Sequence, residues 1–212
     1  MEALRSVTGV AAPMMRINID TDQIIPAFFL GGTDAKGYGA HLFHRWRFLD
    51  DGQPNPEFIL NQTPYDRAQV LLADRNFGCG SSRERAPKAL REFGFRAVIA
   101  PSFGGIFFNN CYRNGIVPVE LPIEDVRAIA QEVEATLGCG EVTVDLAALT
   151  VTSPGGRQFA FKAPGNLRQM LLEGMDEIAL TLGRAQDLES FRSRDRARRP
   201  WAYETTAPAK LR

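Results

Sequence analysis

Val70-Leu71-Leu72-Ala73-Asp74-Arg75-Asn76-Phe77-Gly78-Cys79-Gly80-Ser81-Ser82-Arg83-Glu84 is the stretch on which the fold turns. Val70 to Ala73 is an apolar run of buried-strand length. A loop punctuated by Gly78 and Gly80 follows, and Ser81 with Glu84 three residues on has the spacing of a capping box that opens a helix. Pro87 suits an early helical turn, where a missing amide donor costs little. Ala86, Ala89, Leu90 and Phe93 supply a buried stripe, and Gly94 stops it. A helix start gathers unpaired amides and about half a positive charge, so it attracts anions. Ser81, Ser82 and Arg83 add two hydroxyls and a guanidinium fork that pairs with carboxylate or phosphate. The same residues also read as a plain strand-to-helix turn with a good cap.

Downstream the pattern alternates strand and helix. Phe95–Ala100 reads as a buried strand, Phe103–Arg113 as a helix stopped by Asn114-Gly115, and Ile116–Leu121 as a strand. Pro118 puts that strand at a sheet edge. A helix from Ile123 to Leu137 buries Val126, Ile129, Ala130 and Val133 on one face. Such alternation predicts parallel βαβ units, with ligands held beyond the carboxyl ends of the strands, where Gly78 to Arg83 falls. Glu141–Leu146 alternates cleanly, and Leu149–Thr152 and Gln158–Phe161 flank Pro154-Gly155-Gly156 as a hairpin. Asn166–Thr181 is helical but split at Gly174. Asp187–Arg199 reads as a charged, helix-like tail whose acids and bases are interspersed, a solvated or partner-docking face rather than a nucleic-acid platform.

Upstream, Arg16-Ile17-Asn18-Ile19 alternates as the end of a first strand, and Ile24-Ile25-Pro26 resumes it after Asp20-Thr21-Asp22. That acidic triplet is either a turn with a helix cap or a functional pair at the rim of a sheet. Gly31 to Gly39 holds four glycines in nine residues, with Lys36 at its tip, and reads as a mobile binding loop. Ala40–Leu49 looks like a short aromatic helix, and Pro54, Pro56 and Pro64 make the next segment irregular.

Lys plus Arg (25) balances Asp plus Glu (25), so no global charge draws the chain to nucleic acid or to a membrane surface. No apolar run reaches the length of a membrane span, and the first residues lack a signal-peptide pattern, which points to the cytoplasm. Cys79, Cys111 and Cys139 are too sparse for a disulfide framework; they read as ordinary small, buried residues, with convergence in space on a metal or iron–sulfur cluster as the alternative. His41 and His44 could share a helix face, without a third ligand at metal-binding spacing.

Three motifs then carry a resemblance. Asp20-Thr21-Asp22-Gln23-Ile24-Ile25-Pro26, Asn76-Phe77-Gly78-Cys79-Gly80-Ser81-Ser82-Arg83-Glu84 and Ala100-Pro101-Ser102-Phe103 occur in the order and spacing of 3-isopropylmalate dehydratase small subunits, within the aconitase superfamily. Gly39–Phe43, Trp46–Asp50 and Pro54-Asn55-Pro56 resemble the bacterial members, so the likeness runs from about Val10 to Gly183. It implies an α/β fold, a swivelling β/β/α domain like the mobile last domain of aconitase, over residues 1–183, with a charged extension over 184–212.

The resemblance also implies half of an active site. The activity is that of a hydro-lyase which interconverts 2-isopropylmalate and 3-isopropylmalate in leucine biosynthesis, and only in company with a large subunit that carries a [4Fe–4S] cluster. This chain would bind no cofactor. Ser81 is implied as the catalytic base and Asp22 as a second catalytic residue, with Thr21, Lys36, Ser82 and Arg83 binding substrate, Ser82 and Arg83 as the grip on a carboxylate. Asp22 would order the hydrogen-bond network or pair with a histidine across the interface. Lys36 stands where bacterial members carry an arginine, and Arg85 where they carry a histidine after Ser-Ser-Arg-Glu. Lysine keeps the charge but not the bidentate geometry. A paralogous hydratase for a methylmalate or homoaconitate-type acid is the alternative within this class. A non-catalytic anion-binding module is the alternative outside it.

Overall fold

The computed structural model describes residues 2–30, 37–81 and 84–203, and it divides into two compact units, Met1–Gly174 and Met175–Arg212. The first unit is built on seven strands: β1 (Ser6–Met14), β2 (Val70–Ala73), β3 (Ala97–Ala100), β4 (Val117–Glu120), β5 (Glu141–Asp145), β6 (Thr150–Thr152) and β7 (Gln158–Ala160). They pair in the order β4-β3-β2-β1-β5-β6-β7. The β1–β2, β2–β3 and β3–β4 pairs are parallel, and β1–β5, β5–β6 and β6–β7 are antiparallel. Every residue of β2 and of β3 is buried, as expected of parallel strands covered on both faces. β5 instead alternates exposed or half-exposed residues with buried Val142 and Val144. Pro118 lies in β4, at the edge of the sheet, where its missing donor is tolerated.

Helices fill the crossovers. After the single turn α1 (Thr21–Ile24) and the short α2 (His44–Arg47) come α3 (Arg85–Phe93), α4 (Gly105–Arg113), α5 (Ile123–Ala135) and α6 (Gly165–Glu173). α3 buries Ala86, Pro87, Ala89 and Leu90, and α5 buries Val126, Ile129, Ala130 and Val133. At roughly 1.5–3 kcal/mol for each large apolar side chain removed from water, these stripes hold the helices to the sheet.

Three expectations are corrected. Arg16 to Ile19 forms no strand: β1 ends at Met14, and Asn18, with φ 55, has a left-handed conformation that no strand accommodates. Ile24 belongs to α1 rather than to a resumed strand. Ala40–Leu49 is not one helix: a 3₁₀ turn over Tyr38–His41 and α2 are separated at Phe43, whose φ is 49.

The second unit carries α7 (Glu177–Leu182) and α8 (Ala185–Arg198), and neither helix buries a residue. Near its end Asp195 accepts from Arg199 Nε, Arg199 Nη2 and Tyr203 Oη, each at 2.8 Å, and these bonds hold its carboxyl below the usual range.

Candidate active site

The site forms where three backbone segments run past the ends of β1, β2 and β3. Beyond β2 the chain turns at Asn76 (φ 63), whose Nδ2 donates to Asn18 Oδ1 at 2.9 Å and whose amide donates to Ser102 Oγ at 2.9 Å. Phe77 to Cys79 then lies between its neighbours like an irregular strand. The Phe77 amide donates to the Ser102 carbonyl and the Gly104 amide to the Phe77 carbonyl. On the other side the Gly78 amide donates to the Ile19 carbonyl at 2.7 Å and the Thr21 amide to the Cys79 carbonyl at 2.9 Å. The three motifs are therefore one hydrogen-bonded platform, although up to 80 residues separate them in the chain.

Glycine is required at Gly78. Its φ is 71, and a Cβ there would run into the ring of Phe107. The platform and the first turn of α4 approach so closely because that position lacks a side chain.

Ser81 is exposed and borders a cavity of about 90 Å³ lined by Thr21, Gly78, Gly80, Gly104, Gly105, Ile106 and Phe107. Thr21 is buried at 3% exposure, and its Oγ1 donates to the Ser81 carbonyl at 2.9 Å. Two of the residues singled out in the sequence thus meet. The capping box expected of Ser81 and Glu84 is not how α3 begins: the helix starts at Arg85 with Glu84 in the cap position and no side-chain cap, leaving Ser81 in the loop before it. The capping box belongs instead to Asp20, whose Oδ1 accepts from the Asp22 and Gln23 amides while Gln23 Oε1 accepts from the Asp20 amide.

Among its contacts with described residues, Asp22 Oδ1 accepts from the Ala27 amide at 3.0 Å, and its Oδ2 pairs with Arg45 Nη2 at 3.2 Å. Arg45 carried no signal in the sequence, because its partner lies 23 residues away and only the fold brings them together. Ser82, Arg83 and Lys36 lie outside the described residues.

The segments flanking the glycine-rich loop are firmly held. Glu92 Oε2 accepts from the Gly37 and Gly39 amides, both at 3.1 Å, and Arg47 reaches the Gly39 carbonyl at 3.3 Å. Phe29 stacks on His41 at 3.8 Å between ring centroids and meets His44 edge-on at 4.7 Å, and His44 in turn packs on Phe48 at 4.8 Å. In this aromatic nest the Nδ1 of His44 is buried without a hydrogen-bond partner among the described residues. Burial foremost, then the charges of His41 and Arg47, depress the affinity of His44 for a proton.

The cysteines are scattered. Burial and then the Asp20 carboxylate push the Cys79 thiol above its ordinary value, Cys111 is fully buried, and Cys139 is exposed. Among the described residues no three His, Cys, Asp or Glu side chains are grouped to hold a metal ion, so these donors do not fit an iron–sulfur cluster. No helix among the described residues is long and apolar enough to cross a membrane.

Comparison with known proteins places this platform. The sequence profile of the aconitase C-terminal domain matches residues 1–124, and that described as LeuD_N matches residues 127–162. The chain is 51% identical over 205 residues to the 3-isopropylmalate dehydratase small subunit of Cupriavidus necator, covering 96% of this chain and 99% of that protein. It belongs to the 3-isopropylmalate dehydratase small-subunit family. The small subunit of Neisseria meningitidis serogroup C (strain FAM18) is 47% identical over 212 residues, with the same coverage. A crystal structure of 3-isopropylmalate dehydratase (leuD) from Methanocaldococcus jannaschii superimposes with a TM-score of 0.60 at 25% identity, covering 87% of this chain and 98% of that one. The swivelling β/β/α architecture is thus the family's. The cavity wall from Gly104 to Phe107 follows directly on the family motif Ala100–Phe103, yet the sequence reading assigned it no role. The signal was there in the paired glycines that open α4.

Proposed function

We propose that this chain is the small subunit of a two-subunit hydro-lyase that interconverts 2-isopropylmalate and 3-isopropylmalate by removing and re-adding water, a step of leucine biosynthesis. The observation that carries this reading is the position of Ser81, exposed on a cavity and anchored through its carbonyl by Thr21, in a chain that matches dehydratase small subunits along nearly its whole length.

Water elimination beside a carboxylate needs a base for a weakly acidic C–H. Ser81 is that base, acting as an alkoxide. An alkoxide is a strong base that must be stabilised by donors and positive charge, and the amides opening α3 and α4 lie at this end of the sheet. Ser82 and Arg83 bind a substrate carboxylate, each charge-assisted bond contributing about 1.5–3 kcal/mol. Lys36 adds a point charge from the glycine-rich loop. Thr21 acts on the base rather than on the substrate, since its proton is engaged by the Ser81 carbonyl. Asp22 acts as a clasp, one oxygen on the Ala27 amide and the other on Arg45. A [4Fe–4S] cluster on the separate large subunit supplies the Lewis acid for the departing hydroxyl. The assembled enzyme works in the cytoplasm.

The test is Ser81→Ala in the complex with the large subunit. Turnover should fall by about 10²–10⁴-fold while KM changes little, as expected for loss of a general base. A loss confined to KM would make the loop a binding module instead.

A further inference from the structure

Among the described residues, glycine at position 105 has no conformational or steric cause. Gly105 is the first residue of α4, its φ is not in the left-handed region, and a Cβ added there would meet no described atom within 4 Å. Its neighbours differ: Gly78 has φ 71 and is pressed on the Phe107 ring, and a Cβ on Gly104 would strike the Gly78 carbonyl. Glycine leaves the backbone more freedom to lose than any other residue, so even at the first helical position Gly105 favours α4 less than alanine would, and among the described residues it relieves no contact.

What Gly105 has is a place on the wall of two voids. One is the cavity of about 90 Å³ beside Ser81, and the other is a groove of about 490 Å³ bordered by Phe103, Phe108, Glu120 and Lys162. Gly105 is itself exposed, so a side chain there would stand at the border of both voids. The cavity beside Ser81 has no charged side chain among its described lining residues; its walls are Ile106, Phe107 and glycine backbone, and the Thr21 hydroxyl is engaged with the Ser81 carbonyl. At about 90 Å³ the cavity has room for a small alkyl group.

We infer that Gly105 is a specificity-determining residue, its missing side chain leaving the room beside Ser81 that the alkyl branch of the substrate occupies. The inference rests on the dehydratase reading above. It predicts an unusual pairing of effects: a side chain at 105 stabilises the protein and impairs its use of branched substrates.

The experiment uses the complex with the large subunit and a series of malates carrying a methyl, ethyl or isopropyl branch, with the two carboxylates held constant. Gly105→Ala should raise the thermal midpoint of the small subunit and raise KM progressively with branch size. Gly105→Leu should raise KM for the isopropyl member about tenfold or more, and for the methyl member less than about twofold, the range a hydrophobic pocket discriminates. An equal rise along the series would make the space a carboxylate subsite at the amides of α4, and would overturn the inference. So would unchanged KM values, or weakened binding of the large subunit at unchanged KM. A wild-type complex inactive on every member would overturn the dehydratase reading itself, whereas an active wild type indistinguishable from its Gly105 variants would overturn this inference alone.

Discussion

The hydroxyl of Thr21 adds a side-chain tie between the first family motif and the second. Thr21→Val keeps the shape of the side chain but leaves the part-buried bond to the Ser81 carbonyl unmade, whereas Thr21→Ser keeps the donor. Losing a bond of this kind costs about 1–3 kcal/mol when a partner is left unsatisfied. Thr21→Val should therefore lower turnover about tenfold or more, with KM within about twofold of wild type, and Thr21→Ser should restore most of the rate. Steady-state kinetics on the two variants decides; equal losses would assign Thr21 to packing. At this scale the sequence was half legible. Asp20-Thr21-Asp22 announced a cap or a functional pair, and the structure contains a cap, but on Asp20, whose side chain and Gln23 close the box. The link from Asp22 to Arg45 was invisible, because side chains 23 residues apart carry no periodic signal and only tertiary structure joins them.

Between residues and the whole stand the elements that bring the motif loop and α4 together. Gly78→Ala would add a Cβ in the left-handed region and against the Phe107 ring, so the loop must shift or the ring must leave its place between Phe77 and Phe103. Destabilisation of about 1–3 kcal/mol is expected, read as a lower denaturation midpoint at unchanged slope. The aromatic nest around His44 sets a pH dependence. Burial, His41 and Arg47 lower the pKa of His44 below its ordinary value of 6.5, so near that pH the unfolded chain binds more protons than the folded one. Stability then rises with pH through this region and levels off above it; it is lost as pH falls below about 6.5. His44→Phe keeps the packing and should flatten that part of the profile, measured as denaturation midpoints between pH 5.5 and 7.5. Elements with strong periodicity were legible, as in α5 and in the β6–β7 hairpin. Arg16 to Ile19 misled because alternation over four residues is satisfied equally by an irregular segment, and a left-handed Asn18 cannot be inferred from its neighbours.

At the scale of the molecule, the site looks unfinished from the side of its cavity. Ser81 is exposed, and Ile106 on the cavity wall is 55% exposed. Ile17 and Phe28 are 61% and 64% exposed, the one preceding the Asn18 that bonds Asn76, the other following the Ala27 held by Asp22. Large apolar side chains beside functional loops mark surfaces that another chain covers. The isolated chain should accordingly show no dehydratase activity on isopropylmalate, and titrating it with the large subunit should restore activity to saturation. Ile17→Glu should raise the concentration needed for half-saturation by about tenfold or more, the effect of burying an unpaired charge in an interface. Its thermal midpoint should stay near that of wild type, because Ile17 contributes little to the core. An active isolated chain would place the whole reaction on this polypeptide; an Ile17→Glu chain that saturates normally would move the covering surface elsewhere on the first unit.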